Sequence, residues 1–228
     1  MRLKYLLLLI FLFLLKSSSG QSDPQEKRSK TSRLILGSTA NMLEKGDKLL
    51  YNINILYNAF DYGISKNLTI GGGFLIFGDL TSGQIKVKVG HSFNDKIHVA
   101  LVNHILFPKD RGTNVLSPIL ALTTIDFNKF SLTFGPGIIF QDAKIILASQ
   151  VAFVIPIKKN FAFISENYWS YETSNNFDDD KFYLLSLGVR YFYKKWYFDL
   201  ASSNFASFGN DGDSFIPLAS LSVNFKFN

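Results

Sequence analysis

The residues with chemical potential form a short series of ionisable side chains spaced along strand-like segments. They are Lys86, Lys88, His98, His104, Glu166, Arg190, Asp199 and Lys226. Most of them sit opposite apolar neighbours. Lys86 and Lys88 alternate with Ile85, Val87 and Val89, and Arg190 stands opposite Val189 and Tyr191. Parity therefore gathers them on one polar face, with four bases against two acids. A face of that kind suits a water-filled lumen lined by fixed charge, or an internal lattice of ion pairs such as Glu166 with Arg190. As a pore it would favour anions mildly.

Enzymatic readings fare worse. A Ser–His relay acting on lipid should sit on an outer wall, but His98 and His104 share the inward parity of Ala100, and no Gly-x-Ser-x-Gly elbow occurs. The same two histidines lie six residues apart on a strand, ~20 Å, too far to share a metal. Asp178–Asp180 and Asn210–Ser214 are oxygen-rich, yet neither carries the Glu that closes a twelve-residue calcium loop. No cofactor is expected, and the protein is not expected to be an enzyme.

The segments that carry these residues alternate with period two. Ala219, Leu221, Val223, Phe225 and Phe227 interleave with Ser220, Ser222, Asn224, Lys226 and Asn228. Tyr183, Leu185, Leu187, Val189 and Tyr191 do the same against Ser186, Gly188 and Arg190. Such runs are half-buried strands. Twelve are expected, at 33–39, 51–64, 68–77, 84–93, 97–107, 115–125, 130–141, 145–157, 161–172, 181–193, 196–206 and 215–227. Many reach the 9–11 residues that a tilted strand needs to cross a bilayer. Tight Lys-containing turns (Ser65–Asn67, Asn94–Lys96, Asp126–Lys129, Lys158–Asn160, Lys194–Lys195) alternate with mostly longer loops, which is the asymmetry of an outer-membrane barrel. The expected fold class is all-β, a closed antiparallel transmembrane barrel. Tyr51, Tyr57, Tyr171, Tyr191, Tyr193 and Trp196 fall near strand ends, where an aromatic girdle belongs.

Composition agrees. The chain has 228 residues, 47% of them hydrophobic, with 23 Phe, 10 Tyr and no Cys, which excludes disorder, disulfide scaffolds and thiolate metal sites. The +6 formal charge is concentrated in the first 33 residues, so no nucleic-acid face is expected. Met1–Lys4 is basic, Tyr5–Leu15 is apolar and Ser17–Gly20 are small, the three-part pattern of a secretory signal peptide. The expected organisation is a signal peptide over 1–20, a flexible periplasmic linker over 21–32 and the barrel over 33–228.

Two stretches resemble a known group. Asn58-Ala59-Phe60-Asp61-Tyr62-Gly63-Ile64-Ser65-Lys66-Asn67-Leu68-Thr69-Ile70-Gly71-Gly72-Gly73 and Ile164-Ser165-Glu166-Asn167-Tyr168-Trp169 resemble uncharacterised outer-membrane β-barrel proteins of Bacteroidota. The resemblance implies an outer-membrane location in contact with outer-membrane lipids, and no activity. The last strand resembles the signal read by barrel-assembly machinery, with its aromatic at Phe227. Together these features point to a small passive pore for ions or small, mildly anionic solutes. The alternatives are a non-conducting structural or surface-interaction barrel and, further off, a lipid-acting barrel enzyme.

Overall fold

In the computed structural model, the residues described are 32–54, 56–77, 80–107, 115–141, 144–172, 181–208 and 214–227. The segment expected to be a signal peptide, nearly all of the expected linker and the two acidic loops lie outside them. Twelve strands follow in chain order: β1 (Lys48–Ile53), β2 (Tyr57–Ser65), β3 (Leu68–Phe77), β4 (Leu80–Ser92), β5 (Ile97–Phe107) and β6 (Leu116–Asp126). The second half comprises β7 (Ser131–Gln141), β8 (Lys144–Lys158), β9 (Phe161–Glu172), β10 (Lys181–Tyr193), β11 (Trp196–Phe208) and β12 (Ser214–Phe227). Each pairs antiparallel with its sequence neighbours, and β1 pairs with β12 to close the ring.

The count of twelve agrees with the sequence reading, but its first two members do not. Residues 33–39 are not part of the wall. They fold back on themselves inside the barrel, with a bridge between Arg33 and Ser38 and a Leu34 N–H donating to Gly37 O at 2.9 Å. The stretch 51–64 is two strands, not one, because the chain reverses at Asn54, which adopts the left-handed φ of 54°. Asparagine tolerates that conformation, so a turn forms there without Gly or Pro. β4 also starts earlier than expected, at Leu80, paired directly with Phe77.

Alternation places the apolar side chains outside. Leu101, Leu200 and Leu221 are 53%, 67% and 55% exposed. In water that surface would be costly, and in hydrocarbon it is the matching solvent. At the end of the barrel that holds Phe227, aromatic side chains cluster: Trp196 lies 4.4 Å from Phe225, and Phe161 lies 4.9 Å from Tyr191 (ring centroids). Tyr171, Tyr193 and Trp196 are exposed as a girdle requires, whereas Tyr51 is buried on the inside of the barrel and Tyr57 lines an internal cavity.

A cation placed on the outer wall at mid-depth should cost about 2–4 kcal/mol. Leu200→Arg is therefore expected to lower unfolding free energy in lipid vesicles by that amount. An equally stable variant would mean that Leu200 does not face hydrocarbon.

Candidate functional site: a charged lumen and the segment inserted in it

The inner face of the wall carries the residues singled out by parity, and the chain from Ser32 to Asp47 occupies the space between them. The wall side chains reach inward because strand alternation leaves them no other direction. The segment is irregular, so its backbone N–H and C=O groups are not consumed by a ladder and need partners. Side chains of the wall supply them.

Glu166 is fully buried on β9 and accepts from the backbone N–H of Leu36 (2.9 Å) and Gly37 (2.7 Å), and from the Tyr168 hydroxyl (2.6 Å). A Cβ at residue 37 would stand 1.4 Å from the Tyr168 hydroxyl and 2.5 Å from the Glu166 carboxylate, so a side chain there would push both groups off the segment. Gln150 donates to Ser38 O at 2.9 Å, and the Ala40 N–H donates to Thr124 Oγ1 at 2.8 Å. Lys88, buried on β4, donates to the carbonyl of Asn41 and, at 3.4 Å, to that of Ser32.

Arg190 on β10 forms a two-toothed pair with Asp199 on β11, Nε to Oδ1 at 2.5 Å and Nη2 to Oδ2 at 2.9 Å. Its remaining reach goes to the carbonyls of Arg33 and Leu34, each at 3.1 Å. The partner expected for Glu166 was Arg190. The structure instead pairs Arg190 with its direct cross-strand neighbour, and backbone donors of the inserted segment take the carboxylate. Asp199 also accepts from Ser222 at 2.8 Å.

Arg33 enters from the segment. It donates to Asn224 Oδ1 and to Ile35 O, each at 2.5 Å, with its guanidinium 4.1 Å above the Tyr51 ring. Lys86 forms a buried ion pair with Asp61. Lys226 lies at the mouth of the barrel, half exposed, and pairs with Asp47 at 2.5 Å, where the inserted segment leads into β1. His98 stands between Ser92, whose hydroxyl is 2.7 Å from Nδ1, and Asp126, whose Oδ2 is 3.2 Å from Nε2. The three tie β4, β5 and β6 together at the mouth. His104 faces inward and its Nδ1 lies 2.7 Å from Gln84 Nε2.

Parity thus located the inward charges but undercounted the acids. Asp61 and Asp126 face inward too, and the segment adds Arg33 and Asp47. Among the described residues the buried set holds four cations, Arg33, Lys86, Lys88 and Arg190. Against them stand five carboxylates: Asp47, Asp61, Asp126, Glu166 and Asp199. Lys226 at the mouth makes the balance even.

Apolar contact holds the segment as well. Leu34 and Ile35 pack on Ala152, Val154, Ala162, Ile164 and Ala201. Ala40 packs with Ala100, Val102, Leu120 and Leu122, and Leu43 with Leu49, Tyr51, Ala59 and Tyr197. These inward apolar residues carried a legible signal. β5, β6, β8 and β9 are apolar on both faces over part of their length, and a water-filled lumen gives an inner face no reason to be apolar.

Beside the segment a cavity of ≈ 340 Å³ remains. Its walls include Arg33, Lys86, Gln84 and His104, and the aromatic rings of Tyr51 and Tyr57.

Removing one member of a buried pair leaves the other charge uncompensated, at about 3–5 kcal/mol. Arg190→Met should destabilise the barrel by that amount in chemical unfolding, and Arg190→Met combined with Asp199→Leu should recover most of it. If the double variant is no better than the single one, Arg190 matters through the carbonyls of Arg33 and Leu34 rather than through Asp199.

No protein-family model matches the chain, and no curated protein matches it in sequence. Solved structures do match in shape. The KdgM porin superposes with a TM-score of 0.56 at 10% identity, covering 80% of this chain and 98% of that one. The KdgM porin in complex with disordered oligogalacturonate gives 0.55 at the same identity and coverage. At such identity the likeness concerns the fold, and the chain is a closed twelve-stranded β-barrel of porin architecture.

Proposed function

We propose that the protein is an outer-membrane pore for ions and small solutes, narrowed by its own N-terminal segment. One observation carries this reading: the lumen is built of paired charges and hydrogen-bonding side chains, and a cavity lined in part by Arg33, Lys86, Gln84 and His104 persists beside the inserted segment. A barrel serving only as a scaffold could fill the same volume with apolar side chains at no desolvation cost. The porin fold and the apolar outer belt support an outer-membrane site. The signal-peptide pattern supports export, and the alternating last strand ending near Phe227 supports delivery by barrel-assembly machinery. The resemblance to Bacteroidota barrels rests on residues 58–73 and 164–169.

The even balance of interior charge changes the selectivity expected from sequence. Lys86 and Arg190 are each matched by a carboxylate, so neither acts as a bare attractor for anions. Selectivity should be close to unity. A non-conducting barrel is the second reading, and the apolar packing of Leu34, Ile35, Ala40 and Leu43 favours it.

Planar-bilayer recording of the full chain separates the two. Wild type should pass a small current with an anion/cation permeability ratio near one. Gly37→Val, which prevents the segment from seating on Glu166 and Tyr168, should raise conductance several-fold while the barrel keeps its heat-modifiable gel mobility. Silence from both proteins would identify the barrel as non-conducting.

A further inference from the structure

Strand alternation also turns a few polar side chains toward the lipid, and on three neighbouring strands they gather. Two aromatic rows bracket the outer wall of β9, β10 and β11. Phe161, Tyr191 and Phe198 form the row nearer Phe227, with successive ring centroids 4.9 Å and 6.5 Å apart. Trp169 and Tyr183, 6.5 Å apart, form the other. On β10, Tyr183 and Tyr191 are eight residues apart, about 26 Å along the strand. Tilted, that length takes up most of the roughly 25 Å apolar band of a membrane barrel. Ser165 and Ser202 flank Leu187, midway between the rows, and Asn167 and Asn204 flank Leu185, one step nearer Tyr183. These six have the outward parity, opposite to that of the buried Glu166, Ser186 and Ser203.

The far wall is different. On β3 and β4, Ile70, Phe74, Ile85, Val87 and Val89 supply outward side chains across the band, all exposed and apolar. The other outward carboxamides of the strands are met within the wall. Asn52 bonds to Asn58 at 2.6 Å, and Asn103 accepts from the Ser117 hydroxyl at 3.3 Å. Asn167 accepts from the Tyr183 hydroxyl at 3.0 Å and donates to Ser165 Oγ at 3.3 Å. Asn204 is the exception. Neither its side chain nor that of the exposed Ser202 makes a hydrogen bond among the described residues. Their partners on β12, Pro217 and Ala219, have side chains with no group that forms one. A bare carboxamide and a bare hydroxyl in hydrocarbon are costly.

We propose that the outer face of β9–β11 docks a second copy of this chain, with Asn204 and Ser202 on the line of contact. Depth, symmetry and shape select that occupant. Lipid head groups lie beyond the row of Trp169 and Tyr183, and acyl chains carry no hydrogen-bonding group, so the partner at this depth is another protein wall. Two copies in one bilayer stand the same way up. A two-fold axis along the membrane normal therefore brings each residue of the contact line against its own counterpart, as in the common isologous dimer. A charge meets repulsion there, and a carboxamide or a hydroxyl, which both donates and accepts, meets its complement. The patch holds no charged side chain. Ser165, Ser202 and Ala219 are small enough to let two walls approach closely, as small residues do where membrane segments pack. Leu185 and Leu187 supply the apolar contact between the polar positions. Leu200 and Val189 lie below the contact and stay in lipid.

The dimer rests on the barrel spanning a bilayer and not on whether it conducts, so it is tested without any current. The chain has no cysteine, and Lys159→Cys in the exposed turn after β8 gives a single site for a donor or an acceptor dye. Full-length protein labelled in this way and mixed in phosphatidylcholine vesicles should show energy transfer that falls as lipid is added. Asn204→Leu should move the half-point at least tenfold toward higher protein-to-lipid ratio. The same substitution should leave the dilute barrel as resistant to chemical unfolding as before, or more so, because it takes a bare amide out of hydrocarbon. Benzoyl-phenylalanine in place of Leu187 should cross-link two copies on irradiation of native membranes, and in place of Val87 it should not. Absence of transfer at every ratio would overturn the proposal, as would an unchanged half-point in Asn204→Leu. A less stable dilute Asn204→Leu barrel would also overturn it, by showing that the amide is bonded within its own wall. So would position 187 cross-linking only to lipid, to a different protein or to the chain's own N-terminal residues.

Discussion

Hydrocarbon offers no hydrogen bond, and the rest of the structure follows from that. A strand crossing it must have both ladder edges paired, so the sheet closes on itself. Closure by alternation then commits every second side chain to the interior, whatever its type. Lys86, Lys88, Glu166, Arg190 and Asp199 are inside because Val87, Val89, Leu187, Val189 and Leu200 are outside. Burial at near-zero exposure makes each of these charges a liability unless it is met.

The inserted segment is the answer to that liability, and the two sides satisfy one another. A helix in the lumen would have used its own backbone groups internally. Residues 32–41 leave them open, and the wall meets them with complementary types. Glu166 takes two N–H groups, Lys88 and Arg190 take four carbonyls between them, and Gln150 takes a fifth. Hydrogen bonds to charged groups are worth about 1.5–3 kcal/mol each. The segment is therefore held by a distributed set of polar contacts over an apolar footing.

The fold class, the strand count and the inward parity of the charges were legible because period two is a direct consequence of pleating. The segment was not. Leu34 and Leu36 alternate with Arg33 and Ile35 loosely enough to pass as a strand, and nothing local distinguishes a short hairpin in a lumen from one in a wall. The distinguishing mark lies elsewhere, in Val102, Leu120, Leu122, Val154 and Ile164, which are apolar at inward positions. That signal is non-local: it announces a filling without saying which residues supply it. The turn at Asn54 was hidden for a different reason. A single residue in the left-handed region costs asparagine little, so no Gly or Pro marks the break. The ion-pair partners escaped as well, since parity tells which face a side chain occupies and not how deep it sits.

The same break bears on how the ring closes. The β1–β12 seam is held by the register of only Lys48–Ile53 against Phe227–Ser222, as short as the β1–β2 ladder on the other side of the same strand. What reinforces it comes from within. Arg33 donates to Asn224 on β12 while stacking on Tyr51 of β1, so one guanidinium spans the seam from the inside. Asp47, at the foot of β1, pairs with Lys226 of β12, and Lys48 lies 5.3 Å over the Phe227 ring. Asn54 clamps the other end of the short ladder to Leu221 and Ala219. The inserted segment is thus more than a filling. It is continuous with β1, it carries the residue that bridges β1 to β12, and displacing it would loosen the lumen and the closing seam together. The two short ladders of the barrel thus flank β1, and the inserted segment that leads into β1 is tied to the closing seam by Arg33 and Asp47.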